Sequence, residues 1–240
     1  MKKILPILLL FGSILLAKDI SPKQVLIESR IVIATSSSTI KSEELSDIPN
    51  LNINRVLGLN VGIETPLNIP VANEILLGVH FKQLGWKEKY DDSDGSSGSY
   101  TTKSKYRTKY LTLNVQKEFD LLKLVPKLQD IPVNVVLGFE TGTFIGAEEK
   151  FKSKWEYDGS SESETETNKY SRSDWKDSDG KLGHIALIAS LRAQINPSLG
   201  VQLSYIPALG SLFKDPTAKN RSINAELIIF LKPLLINEND

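Results

Sequence analysis

Eight segments of the 240-residue chain alternate between apolar and polar side chains with a period of two, and turn-rich stretches separate them. That period belongs to the β-strand, in which successive side chains point to opposite faces. The first segment sets Val25, Ile27, Ile31 and Ile33 against Glu28 and Arg30, and the second sets Leu57, Leu59, Val61 and Ile63 against Gly58, Asn60 and Gly62. The third places Leu77, Val79 and Phe81 opposite Gly78, His80 and Lys82; the fourth places Leu111, Leu113 and Val115 opposite Thr112, Asn114 and Gln116. Val133, Val135, Leu137 and Phe139 then oppose Asn134, Gly138, Glu140 and Gly142, and Ile185, Leu187, Ala189 and Leu191 oppose His184, Ser190, Arg192 and Gln194. The last two segments set Val201, Leu203 and Tyr205 against Gly200, Gln202 and Ser204, and Ile223, Ala225, Leu227 and Ile229 against Asn224 and Glu226. Every segment thus has one apolar face and one polar or glycine face, which makes the chain all-β and antiparallel.

The N-terminus reads as a leader. Met1-Lys2-Lys3 is basic, Ile4 to Leu16 is apolar but short of the ~20 residues of a spanning helix, and Ala17 precedes the charged Lys18-Asp19. Residues 1–17 are therefore expected to be a cleaved signal peptide and 18–240 the mature domain. No later run is long enough to cross a bilayer as a helix, so a membrane location requires a closed barrel, in which every backbone group is paired. The chain contains no cysteine, which excludes disulfides, thiolate metal sites and a lipoprotein anchor. Charge is balanced at 29 against 29, and removal of Lys2 and Lys3 with the leader leaves 27 against 29. With no concentrated basic stripe in the linear sequence, nucleic acid is not an expected partner.

Alternation alone also fits a soluble lipocalin-like barrel with its apolar faces inward. Three features favour a transmembrane barrel of about eight strands in an up-and-down meander. The polar faces mix glycine with charges of both signs, as a narrow lumen requires. Trp86, Tyr90, Tyr106 and Tyr110 gather at one level and Phe119 at the other, as in an interfacial girdle. Connectors alternate in character: Ser36–Leu51, Asp91–Lys105, Glu148–Gly180 and Gly210–Lys219 are on average longer and more polar than Thr65–Glu74, Asp120–Ile131 and the tight Asn196-Pro197-Ser198. With an even strand number both termini face the periplasm and the longer set faces outward.

In the segments Gly58-Leu59-Asn60-Val61-Gly62 with Pro66, Ile75-Leu76-Leu77-Gly78-Val79, Tyr110-Leu111-Thr112-Leu113, Val136-Leu137-Gly138-Phe139-Glu140-Thr141-Gly142 and Leu199-Gly200-Val201-Gln202-Leu203-Ser204-Tyr205, the chain resembles the outer-membrane protein β-barrel domain family, the small porin-like, PorT-type barrels. The resemblance implies a cell-surface barrel of a Gram-negative outer membrane with no assigned catalytic activity. Members end on an aromatic residue of the last strand; here Phe230 is followed by Leu231 to Asp240.

Little in the sequence points to chemistry. The two histidines, His80 and His184, sit on separate polar faces, and no nucleophile elbow, P-loop or zinc-protease stretch is present. No catalytic residue, metal ligand or cofactor is expected, and the reading is a structural or surface-interaction protein with a plugged lumen. The alternatives are a soluble periplasmic barrel binding an apolar ligand and an outer-membrane enzyme. Parity places Glu28, Arg30, His80, Lys82, Glu140, Arg192 and Glu226 in the lumen, with Asn60, Asn114, Gln116, Gln194, Gln202 and Asn224 around them. The interior of such a barrel is only wide enough for side chains, so Glu140 and Arg192 are expected to share one ion-pair network. The connector 148–180 packs Glu162, Glu164, Glu166, Asp174, Asp177 and Asp179 among serines, with Trp155, Tyr157, Tyr170 and Trp175 interspersed, and reads as a mobile surface loop. Expected partners are outer-membrane lipid and lipopolysaccharide, the barrel assembly machinery and an extracellular protein.

Overall fold

A computed structural model describes residues 26–69, 73–94, 98–121, 133–178, 180–212 and 218–235. The strands are β1 (Arg30–Lys41), β2 (Leu51–Ile69), β3 (Asn73–Asp94), β4 (Gly98–Asp120), β5 (Val133–Tyr157), β6 (Ser160–Tyr170), β7 (Gly183–Asn196), β8 (Leu199–Pro207) and β9 (Lys219–Phe230). Short helices α1 (Glu43–Ser46), α2 (Arg172–Asp177) and α3 (Lys232–Leu235) stand between or after them. The expected leader, Val25, and most of the Asp120–Ile131 connector lie outside the described residues.

Neighbouring strands pair antiparallel from β1 to β5, β5 continues to β7, β8 and β9, and β9 returns to β1. Eight strands thus close a ring, and β6 stands outside it, paired only with the far half of β5. Closure leaves no unpaired edge in the ring, which is what allows a sheet to sit in hydrocarbon.

The orientation of the faces decides between the two kinds of barrel. Leu57 is 70% exposed and Leu203 56%, and Ile63, Leu137, Phe139, Ile185, Leu187 and Leu191 are exposed with them. Arg30, His80, Lys82, Glu140, Arg192 and Glu226 are buried instead. An apolar exterior around a charged interior inverts the soluble arrangement, so the lipocalin-like alternative, which needs the Leu/Val/Ile faces inside, does not describe this chain. No helix among the described residues is long and apolar enough to cross a membrane.

Three strand boundaries differ from the sequence reading. β1 begins at Arg30, with Leu26 to Glu28 in a helical turn, and it continues through Ser36 to Lys41. β3 and β4 run on through Asp94 and from Gly98, where a connector was expected. The segment 148–180 is not a loop: it comprises the end of β5, all of β6, and α2. The reason is common to the last two. Beyond the apolar belt both faces of a hairpin meet water, so the alternation that betrays a half-buried strand disappears while the backbone ladder persists.

Candidate functional site

The inward-facing polar side chains stand in layers. Near the end where β1 begins and β9 ends, Glu64 on β2 and Glu118 on β4 face Arg30 on β1 and Arg192 on β7. Arg30 lies 3.6 Å from Glu64 and donates to Glu118 at 3.0 Å. Arg192 Nη2 reaches Glu64 at 3.1 Å, its Nη1 bonds Glu118, and its Nε donates to Gln202 at 2.5 Å. Gln116 donates to the second Glu64 oxygen at 2.7 Å, and His80 approaches it at 3.4 Å. Glu226 joins through Gln202 at 3.2 Å and Ser204 at 2.5 Å. Two guanidiniums thus pair with Glu64 and Glu118, the condition under which buried charge is tolerated, while Glu226 is held by the neutral Gln202 and Ser204.

Higher in the lumen stands a separate cluster. Glu140 accepts from Lys82 Nζ at 2.6 Å and lies 2.7 Å from His184 Nε2. Between the clusters His80 bridges Asn60 at 3.2 Å and Asn114 at 2.9 Å. Glycine makes room for this imidazole, because a Cβ on Gly62 would lie inside the His80 ring. On β9, the side-chain amides of Asn220 and Asn224 are buried without a protein partner, the kind of group that enclosed water satisfies.

Above the charged layers the interior turns apolar. Ile40, Leu84, Trp86, Tyr110, Phe144, Ala147, Leu212 and Ala218 pack around Trp175, which α2 lowers into the mouth of the barrel. Trp175 stacks on Phe144 with centroids 5.0 Å apart and meets Tyr170 edge-on at 6.0 Å. The helix that carries it is held by a capping box between Ser171 and Asp174. Hydrogen bonds from Ser171 hold the Asp174 carboxyl below the usual aspartate range. Tyr170 donates to Glu149 at 2.5 Å; burial first, then this bond to a carboxylate, pushes its phenol up to about 12.

Several expected positions move. Glu28 is not in the lumen: it precedes β1, is exposed, and pairs with Lys232 of α3 at 2.9 Å. Gln194 is exposed next to the β7–β8 turn, where a register shift interrupts the alternation. Glu140 and Arg192 belong to separate clusters rather than bonding within one. Trp86 and Tyr110 form no girdle, since both point inward and are fully buried, and Tyr106 stacks on Trp86 at 4.6 Å. Of the four aromatics assigned to the surface, Trp155 and Tyr157 are exposed, Tyr170 is half-buried and Trp175 is buried. Glu64 and Glu118 were missed, although each continues the polar parity of its strand by two residues.

On one side of the ring, β3, β4 and β5 continue past the belt with β6 beside them, forming a raised sheet with unlike faces. The face toward the barrel axis carries Trp86, Tyr106, Tyr100, Trp155 and the acids Glu88, Asp92, Glu149, Glu162, Glu164 and Glu166. The outward face carries lysines in cross-strand register. Tyr100 and Trp155 stack near the tip, 3.8 Å between centroids.

No family model matches the sequence, and neither does any curated protein. Among solved structures, Neisserial surface protein A is similar at 10% identity and a TM-score of 0.40, over 84% of this chain and 96% of that one. The attachment invasion locus protein Ail of Yersinia pestis is similar at 16% identity and a TM-score of 0.37, with the same coverage of each chain. The outer membrane protein OprG of Pseudomonas aeruginosa follows at 10% and 0.28, over 84% and 93%. At these values the eight-stranded ring of this chain rests on its own strand pairing.

Proposed function

We propose that the chain is an outer-membrane β-barrel, of the small porin-like, PorT-type group its glycine-alternating strands resemble. In this reading its termini are periplasmic and its raised sheet stands on the cell surface. Its role is structural or surface-interacting rather than catalytic, and its lumen is closed to solute. The observation that carries the reading is the pairing of an apolar exterior with an interior of buried, mutually bonded charges. The Arg30–Glu64–Arg192–Glu118 cluster, the Lys82–Glu140–His184 cluster and the Trp175 plug succeed one another along the axis. A solute path would need a continuous water column, which an eight-stranded ring leaves no width for once its inward side chains meet.

Planar-bilayer recording of the refolded chain tests this. The expected result is silence or rare, small openings, while the unboiled protein migrates differently from the boiled one on a gel. Large, steady conductance steps from the unaltered chain would overturn the closed lumen, and failure to enter bilayers at all would overturn the membrane placement.

A further inference from the structure

The outward face of the raised sheet brings like charges into direct opposition. Lys87 on β3 stands opposite Lys105 on β4, which stands opposite Lys150 on β5. One row higher, Lys89, Lys103 and Lys152 repeat the arrangement. Arg107 and Lys109 lie below these rows and Lys154 above them, all on the same parity. Like charges directly opposite on a sheet are destabilising, and ten cations share this face with three acids, Asp91, Glu148 and Glu156. Two of the acids are committed to neighbours, Asp91 to Lys89 and Glu156 to Lys154. Lys87, Lys103, Lys105, Lys150 and Lys152 have no carboxylate partner among the ion pairs of the described residues. The Lys105 ammonium, beyond the apolar belt, is lowered by burial and then by Arg107, Lys87 and Lys150. Folding alone gives no reason to assemble such a face. A ligand that supplies the missing negative charge does.

Where the face lies identifies the ligand. β3 and β4 pair without a register shift from Leu76 to Asp94, so the lysines extend the same outward parity as Val79, Phe81, Leu111 and Leu113. Lys109 is two residues past Leu111, Arg107 four and Lys105 six. At ~3.3 Å per residue and a strand tilt of about 40°, the cations climb above the apolar belt from roughly 5 Å at Lys109 through about 15 Å at Lys105 to about 20 Å at the Lys103 row. That is the depth of lipid headgroups and their attached sugars, reached sideways from the membrane. A soluble partner descending from the medium would instead meet the tip and the acidic face toward the axis. Between the upper lysine rows a shallow concavity of about 350 Å³ is lined by Lys89, Lys103, Lys152 and Lys154 with the hydroxyls of Thr101 and Thr165, and Glu156 and Glu164 at its margin leave the cations in excess. Ammonium groups interleaved with hydroxyls suit phosphate oxygens.

We infer that this lysine ladder binds the phosphate groups of outer-leaflet glycolipid, clamping lipopolysaccharide against one flank of the barrel. The inference rests on the membrane placement proposed above, and the experiment separates the two.

The mature chain and the variant K103Q/K105Q/K150Q/K152Q are each refolded into phosphatidylcholine bilayers, alone, with lipopolysaccharide, or with enzymatically dephosphorylated lipopolysaccharide. Folding is read by gel mobility without boiling, and retained glycolipid is quantified after pull-down. Glutamine keeps the strand register and a polar surface, so the variant is expected to fold. The unaltered chain is expected to retain phosphorylated lipopolysaccharide preferentially. Each lysine near an anionic surface contributes about fivefold, so the variant should bind several hundredfold more weakly, and dephosphorylated glycolipid should bind both proteins weakly and alike. Equal retention of phosphorylated and dephosphorylated glycolipid, or retention unchanged in the variant, overturns the inference and leaves the membrane placement intact. Heparin or free phosphate displacing the lipid as well as excess lipopolysaccharide does would show a general polyanion site and overturn it likewise. Failure of the unaltered chain to fold into any of the bilayers overturns the placement and the inference together.

Discussion

Replacing Glu140 by leucine removes the carboxylate that Lys82 meets at 2.6 Å, inside a site where both side chains are at most 3% exposed. Lys82 then stands buried without a partner among the bonds described, and breaking a buried pair in this way costs about 3–5 kcal/mol. His184 loses a hydrogen-bond partner too, a share of about 1 kcal/mol. Lys82→Met is milder, near 2 kcal/mol, because Glu140 retains His184. The double variant K82M/E140L removes both charges and leaves side chains of similar bulk, and it should lie within about 1–2 kcal/mol of the parent. Urea unfolding in phospholipid vesicles measures all four proteins, with the shift in tryptophan emission as the buried Trp86 and Trp175 become exposed reporting the transition. The expected signature is a double variant more stable than E140L alone. Additivity of the two single losses within about 0.5 kcal/mol, or a loss below about 1 kcal/mol for E140L, would refute the claim that this ion pair holds the lumen together.

Leu203→Arg places a charge on the lipid-facing side of β8 and should cost about 2–4 kcal/mol in a bilayer; in vesicle titrations Leu203→Ala should cost far less, and equal costs would mean an inward site. Gly62→Ala drives a methyl into the His80 ring, and since overpacking costs about 1–3 kcal/mol, the urea midpoint should fall while the gel mobility of the folded form survives. The Asp174 carboxyl is held low by Ser171, so its contribution to α2 is present above the usual aspartate range and is lost as pH falls through its lowered value. Acidification should therefore release Trp175 from Phe144, seen as increased acrylamide quenching, and the acid step should vanish in D174N; an unchanged step would assign it to another group.

The sequence by itself determined the strands that touch lipid and the face each presents. A strand with hydrocarbon on one side and a narrow polar lumen on the other must alternate, so Leu57 to Ile63, Val133 to Phe139 and Ile185 to Leu191 carried their outward parity openly. The same parity already held Tyr110, Trp86, Glu64 and Glu118 on the inner side, where composition alone suggested a girdle or nothing. Only the tertiary structure decided the rest. Whether Glu140 meets Lys82 or Arg192 depends on the stagger of neighbouring strands: Lys82, 58 positions away, is brought to it by the pairing of β3, β4 and β5 and not by spacing, while Arg192 is set at another level. Where hairpins rise into water, neither face is selected for apolarity, so β6 and the outer half of β4 read as loop. The lysine ladder shares that origin: its charges are scattered over three stretches of a chain with no net charge, and they become one surface only when antiparallel register sets them side by side.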